Sequence, residues 1–247
     1  MLQNQAKLKS TIKRTLQSIL GFDNFLFYFS RLTIKRLYQN KHEEEFVHFL
    51  SLLPTDGALL DIGANIGIMT VPLANRATNG HVFSFEPMPN NLKALKRIVK
   101  YYKLNNVTIF ESALGNEPGE LKMVMPIQNN VKMQGLCHVV DENNPVEGVF
   151  FTVPVKRLDD IPELQKADTI GGIKIDVENF EYEVLTGAKN LLLKHKPYIY
   201  CELWDNEKRV NTLNYLKNEI GYNIKIYDGK KLVPHTDQNV LNYFMVP

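Results

Sequence analysis

Cysteine is nearly absent from the 247 residues: Cys137 and Cys201 stand far apart. Neither joins a Cys-x-x-Cys pair or a Cys/His spacing that would hold zinc. Two reduced, partly buried thiols in a cytosolic protein are therefore expected. A long apolar run is missing as well. The first twenty residues lack the apolar stretch and small-residue cleavage site of a secretory signal. The longest apolar runs fall well short of a membrane span, so a cytoplasmic location is expected. An excess of one charge is also lacking: 29 Lys and Arg face 27 Asp and Glu, for a net charge of +2. That argues against a dedicated nucleic-acid binder, whose surface is strongly basic. Neither an Asn/Asp-Pro-Pro-aromatic motif nor a Pro-Cys nucleophile for base methylation is present. There is no internal repeat. The length suits one large domain plus an appendage, with a core that needs no disulfide or metal.

What the chain does have is alternation. Short, apolar, β-rich runs at 58–62, 81–85, 107–110, 172–177 and 197–203 alternate with stretches of helical spacing. Residues 90–102 repeat Leu92, Leu95, Ile98 and Val99; 180–194 repeat Val184, Leu185, Ala188, Leu191 and Leu192; 206–219 repeat Val210, Leu213 and Leu216. Strands covered on both faces and joined by helices predict a doubly wound α/β domain over 51–247 with a mostly parallel sheet. Residues 119–156 break the rhythm and predict an insertion of strands and loop between the third and fourth core strands. The runs 223–227, 231–233 and 240–246, with an Asp228-Gly229 turn, predict a hairpin and a final antiparallel strand at the sheet edge.

Residues 1–50 predict a helical segment. Up to position 37 its Lys7, Lys9, Lys13, Arg14, Arg31, Lys35 and Arg36 face only Asp23, and an apolar, aromatic patch runs from Ile19 to Phe29. One reading is an interfacial helix that touches a membrane or a lipid-linked substrate. The other, favoured because the pattern is common, is a helical cap that packs on the domain or on a second subunit.

The sharpest motif is Asp61-Ile62-Gly63-Ala64-Asn65-Ile66-Gly67, between an apolar strand and a helical stretch. Glycines at such a turn supply tight backbone angles and close approach of a ligand. A dinucleotide fingerprint needs Gly-x-Gly-x-x-Gly. Here Gly63 and Gly67 are four apart, and Asn65 adds bulk where pyrophosphate would sit. Asp61, a carboxylate, repels phosphate but suits the cationic amino-acid end of S-adenosylmethionine. Glu86 ends the next strand, where an acid accepts hydrogen bonds from the ribose hydroxyls of an adenosine. Ser112, after the third strand, is placed to meet the adenine edge. Pro72 conflicts with a helix starting directly after Gly67 unless that helix starts late or bends.

In order along the chain, the 61–67 motif, Phe85-Glu86-Pro87, Ala113-Leu114-Gly115, the run from Ile173 to Glu181, Val184-Leu185-x-Gly187-Ala188, Pro197 and Glu202 resemble the FkbM family of S-adenosylmethionine-dependent methyltransferases. The resemblance implies a Rossmann-like class I methyltransferase fold, with a seven-stranded sheet and an antiparallel last strand. It also implies methyl transfer to oxygen of a sugar, polyketide or other small molecule. One position departs from it: Asn179 stands where the family usually has glycine. Asparagine tolerates a left-handed backbone, so the turn can survive.

A hydroxyl acceptor must lose a proton, which calls for a general base or a metal. Asp176, at the carboxyl end of its strand, is the first candidate. Glu178 is expected to begin the next helix and gain from its dipole; Glu202 and Asp205 close the neighbouring strand. Three readings stay open: Asp176 as base with Glu178 or Glu202 orienting substrate, a divalent metal among the carboxylates, or a structural role with Glu202 partnering Lys174. His138 is a second possible base, though a lone loop histidine is more often inert. Trp204 can stack on a sugar or simply pack. The other classes to weigh are a nicotinamide oxidoreductase, which the glycine spacing disfavours, and a binding module that has lost turnover. The expected partner is a small molecule or glycan, with no nucleic acid. Nothing in the pattern names the acceptor or an oligomeric state.

Overall fold

The apolar runs form parallel strands, and the polarity of what lies between them decides which segments cover which face. The computed structural model describes residues 2–39, 43–141 and 144–247, with the side chains of 2–10 and of Tyr38 left aside. Lys7 and Lys9 of the basic run thus lie outside the described side chains.

Helices α1 (Leu2–Leu20), α2 (Phe22–Arg36) and α3 (Glu44–Leu52) come first. The alternation begins with β1 (Asp56–Ile62), α4 (Thr70–Arg76), β2 (Asn79–Phe85), α5 (Pro89–Tyr102) and β3 (Val107–Phe110). Next come β4 (Ala113–Leu114), β5 (Gly119–Gln128), β6 (Val131–Lys132), β7 (His138–Val139) and β8 (Gly148–Lys156). The alternation resumes with α6 (Pro162–Gln165), β9 (Ile170–Ile175), α7 (Glu181–Thr186), α8 (Lys189–His195), β10 (Tyr198–Glu202) and α9 (Glu207–Asn214). The chain ends on β11 (Asn223–Tyr227), β12 (Leu232–Pro234) and β13 (Asn242–Val246).

The main sheet runs β12-β11-β13-β10-β9-β1-β2-β3. From β10 to β3 all neighbours are parallel. The last strand, β13, is antiparallel to both β10 and β11 and lies between them. It is therefore internal, not at the edge as expected. Tyr243, Phe244 and Met245 explain why: all three are buried, so both faces of the strand are covered. Short β12 takes the edge instead and makes the sheet eight-stranded, one more than the seven anticipated.

Successive side chains point to opposite faces of a strand. Leu60, Ile62, Ile173 and Ile175 enter one core with α7 and α8, whereas Leu59, Val82 and Phe244 enter another beneath α3 and α4. Phe46 and Phe49 of α3 are fully buried there, each worth about 1.5–3 kcal/mol. On α2, Phe25 and Leu26 pack against Ile66 and Ala94, so part of the aromatic patch caps the domain. Among the described residues no helix is long and apolar enough to cross a membrane.

Two helices differ from expectation. Residues 180–194 form α7 and α8, not one helix. A Cβ at Gly187 would overlap the carbonyl of Gly115, so the chain turns there. The carboxylate of Asp159 then accepts from the backbone N–H groups of Asn190 (3.0 Å) and Leu191 (2.9 Å) and starts α8. Helix α9 widens into a π-type turn over Tyr215–Ile220. Across the two, Thr212, Tyr215, Leu216 and Ile220 are buried and Val210 is exposed. Pro72 falls in the first turn of α4, which starts late, at Thr70.

The 119–156 insertion builds a second sheet. Strands β5 and β8 form a long antiparallel pair from Gly119/Val155 to Pro126/Gly148, with β4, β6 and β7 added. That sheet supplies one wall of the site.

Candidate active site

Three strand ends meet where β1 stops. The N–H groups of Gly63 and Ala64 donate to the carbonyl of Phe85 (3.1 and 3.0 Å), and Asp176 N–H donates to that of Ile62 (3.1 Å). The turn needs positive φ at Gly63 (73°), Asn65 (49°) and Gly67 (83°). A Cβ on Gly63 would overlap the carbonyl of Asp176. The glycine thus permits close approach of two protein loops.

A narrow cleft, with a cavity volume of about 60 Å³, opens beside this junction. Gly63, Asn65, Glu86, Met88, Asn91, Ser112, Asp176 and Glu178 line it from the main sheet. The insertion closes it with Leu121, Met123, Gln134, Gly135, Cys137 and Val139. Of the cofactor residues expected from the sequence, Gly63, Asn65, Glu86 and Ser112 line the cleft; Gly67 lies deeper, against Leu95 and Ile98 of α5.

Asp61 is placed differently. It is fully buried off the cleft wall, and its Oδ2 accepts from Thr70 Oγ1 (2.6 Å). Its Oδ1 lies 3.7 Å from Lys174 Nζ. The alternation along β1 turns Asp61 away from the cleft that its neighbour Ile62 lines.

Glu86 is the most organised carboxylate in the cleft. Asn65 N–H donates to Oε2 (2.8 Å), while Met88 N–H (2.9 Å) and Asn91 Nδ2 (3.3 Å) donate to Oε1. Burial pushes its carboxyl up to about 7 against the pull of these donors. Around it, Asn65 Oδ1, Asn91 Oδ1, Ser112 Oγ and Gln134 Oε1 are buried with no protein partner. Orphan polar atoms of this kind need a polar ligand or water. Leu121 and Met123 add an apolar wall beside them.

A group of acids surrounds Lys174, which pattern reasoning noted only as a possible partner of Glu202. Its Nζ donates to the carbonyls of Gly63 (2.9 Å) and Ile62 (3.4 Å) and lies 3.7 Å from carboxylates of both Asp61 and Asp176. Burial alone would lower its pKa, but Asp176, Asp61, Glu202 and Glu86 outweigh burial and raise it. The lysine thus stays charged and ties the cofactor turn to Asp176. Its signal was visible: a cation between Ile173 and Ile175 in a buried strand requires partners.

Glu178 does not begin a helix. It and Asn179 both adopt left-handed backbones (φ 56° and 73°) in the turn before α7. Glu181 takes the helix start instead; its Oε1 accepts from the N–H groups of Val177 (3.1 Å) and Asn179 (3.2 Å). Glu178 lines the cleft, and burial followed by repulsion from Asp176 and Glu202 raises its carboxyl to about 8. Asn179 keeps the turn, and its Oδ1 accepts from Asn206 Nδ2 (2.7 Å). Glu202, half-buried and off the cleft wall, is raised to about 7 by burial and Asp176. Asp205 is taken up by Arg209 and Asn239. His138 also lies off the wall, with Nδ1 2.8 Å from the carbonyl of Leu136. Trp204 is exposed. Both cysteines are free and buried. Among the described residues no group of three or more His, Cys, Asp or Glu is arranged to hold a metal ion.

The comparisons agree with this geometry. Residues 61–227 match the sequence model of the methyltransferase FkbM domain. The chain is 24% identical over 201 residues to "Methyltransferase 1" of Beauveria bassiana, covering 75% of this chain and 81% of that protein. It is 23% identical over 210 residues to the AMB antimetabolite synthetase AmbE of Pseudomonas aeruginosa, covering 71% of this chain but only 10% of that much longer protein. Among solved structures, the methyltransferase FkbM from Methylobacillus flagellatus superposes with a TM-score of 0.53 at 18% identity, over 78% of this chain and 44% of that one. This likeness is one of fold, the Rossmann-like α/β class I methyltransferase.

Proposed function

The chain belongs to the FkbM family of S-adenosylmethionine-dependent methyltransferases, and on that premise we infer that it methylates a hydroxyl oxygen of a sugar, glycan or other small molecule. The observation that carries this reading is the cleft itself. Orphan polar atoms and the braced Glu86 line it together with Asp176 and Glu178. The first group fits an adenosine: with three protein donors on its carboxylate, Glu86 has one lone-pair site left for a ribose hydroxyl, and Ser112 and Gln134 offer polar contacts to a base. When bound, S-adenosylmethionine supplies a methyl group on a positively charged sulfur. The protein's own part is positioning and proton handling.

An acceptor hydroxyl placed beside that methyl group would have to give up its proton, and a carboxylate of the cleft would take it. Asp176 is the first assignment for that base. Lys174 orients it, and Glu178, which also lines the cleft, helps to place the acceptor, whereas Glu202 lies off the wall and acts on Asp176 through charge. A second reading gives the proton to Glu178. It lines the cleft with a carboxyl near 8, closer to neutrality and so a stronger base than an ordinary glutamate. Asp61 acts at one remove, by fixing Lys174.

The test is calorimetric titration with S-adenosylmethionine beside NADH. Binding of about −8 kcal/mol is expected for S-adenosylmethionine, a micromolar affinity, and none for NADH. Asp176→Ala should keep that binding and lose methyl transfer to hydroxyl acceptors. A folded protein that ignores S-adenosylmethionine would sink the reading. One that binds it but transfers to no hydroxyl acceptor would leave a binding module.

A further inference from the structure

The two N-terminal helices leave large apolar side chains in water. On α1, Ile12, Leu16 and Ile19 are exposed, Ile19 by 74%. Spacings of four and three residues put them on one face. On α2, Tyr28, Phe29 and Leu32 are exposed in the same manner. These are six of the fourteen exposed large apolar residues among the described ones, gathered within 21 positions. Scattered single residues would need no account; a concentration of this kind does.

Charge gathers in the same place. Residues 1–37 hold seven lysines and arginines and one acid, while the whole chain is only +2. The remainder is therefore net negative. The one acid, Asp23, faces the domain, where Asn90 (2.7 Å) and Lys93 (3.1 Å) of α5 hold it. Arg14, Lys35 and Arg36 are exposed. Lys35 is seven residues from Tyr28, and Arg36 seven from Phe29, so both lie along the apolar face of α2.

The opposite sides of these helices are anchored. Ser30 Oγ donates to the carbonyl of Ile66 (2.8 Å), and Gln17 Nε2 donates to that of Lys132 (3.2 Å). The exposed faces are thus presented by packed helices.

We propose that α1 and α2 dock the protein on an anionic lipid bilayer. The apolar side chains enter the interface, and Arg14, Lys35 and Arg36 meet the headgroups. A second copy of the chain is a poorer occupant, because it would bring two strongly positive segments together. The proposal goes beyond the methyl-transfer reading and does not depend on it.

The experiment is co-sedimentation of the full chain with vesicles of phosphatidylcholine, alone or mixed with phosphatidylserine, at low and high salt. Binding to the mixed vesicles at low salt is expected, with little to phosphatidylcholine alone. Lys35→Glu/Arg36→Glu should weaken it by about tenfold or more. Ile12→Ser/Leu16→Ser/Ile19→Ser should weaken it comparably at unchanged charge. All five side chains are exposed, so the unfolding midpoint of each variant should match that of the parent. No binding to the mixed vesicles overturns the proposal. So does binding that the serine variant leaves intact, since the attraction would then be charge alone. A self-association that the serine variant abolishes, without vesicle binding, assigns the face to a second copy instead.

Discussion

Glu86 carries the clearest pH dependence of any cleft residue. Its carboxyl is raised to about 7 by burial, and ribose hydroxyls need the ionised form. Below that pH, binding S-adenosylmethionine must expel a proton. Affinity should therefore rise as pH goes from about 5.5 to 7 and level off above it. Glu86→Gln should bind about ten- to a hundredfold more weakly at pH 8 and lose the slope. Calorimetry in buffers of different ionisation heat checks both, and an unchanged slope in the variant would remove Glu86 from the ribose. Glu178 gives a matching stability test. Its carboxyl, raised to about 8, lies above the ordinary glutamate value of 4.5, so the fold penalises the ionised form. That cost is absent below pH 4.5 and grows until about pH 8. Glu178→Gln should accordingly melt higher than the parent at pH 8 and with it at pH 4.5. Glu86, Asp176 and Glu178 were legible because strand ends in such sheets carry ligands. The inward turn of Asp61 was not, because it depends on the phase of β1 and on Thr70. Gln134 had no signal, being brought to the cleft by a loop of the second sheet.

Elements were legible where local pattern decides them and obscure where a distant group does. The parallel strands and α5 follow from apolar periodicity. The break at Gly187 follows from the carbonyl of Gly115, remote in sequence. The internal place of β13 follows from which faces the helices cover. The β1 turn is the element on which the site depends most. Gly63→Ala would combine a positive φ with overlap on the Asp176 carbonyl. A loss of at least about 1–3 kcal/mol is expected, read by denaturant unfolding, together with loss of cofactor binding. Gly135, also in the cleft wall, is the control: its φ is not positive, and an added Cβ would meet only Asn65 Nδ2 at 4.0 Å. Gly135→Ala should unfold like the parent. Equal tolerance at both positions would contradict the close-approach argument.

At the scale of the whole molecule the cleft joins two sheets and the N-terminal helices. Asn91 Nδ2 lies 3.4 Å from the carbonyl of Gln134, so α5 touches the insertion. The backbone N–H of Lys132 donates to Gln17 Oε1 (3.4 Å), so the insertion touches α1. A ligand that fills the gap between Glu86, Ser112 and Gln134 should therefore quieten parts far apart in sequence. In hydrogen exchange, S-adenosylmethionine should protect 63–67, 86–91 and 131–139 together, with a smaller effect along α1. The β11–β12 hairpin at the far edge of the main sheet should be indifferent. Protection confined to 63–67 and 86–91 would mean that the second sheet does not close on the cofactor. The insertion would then belong to the acceptor alone, and Gln134→Ala should change acceptor KM without changing cofactor affinity.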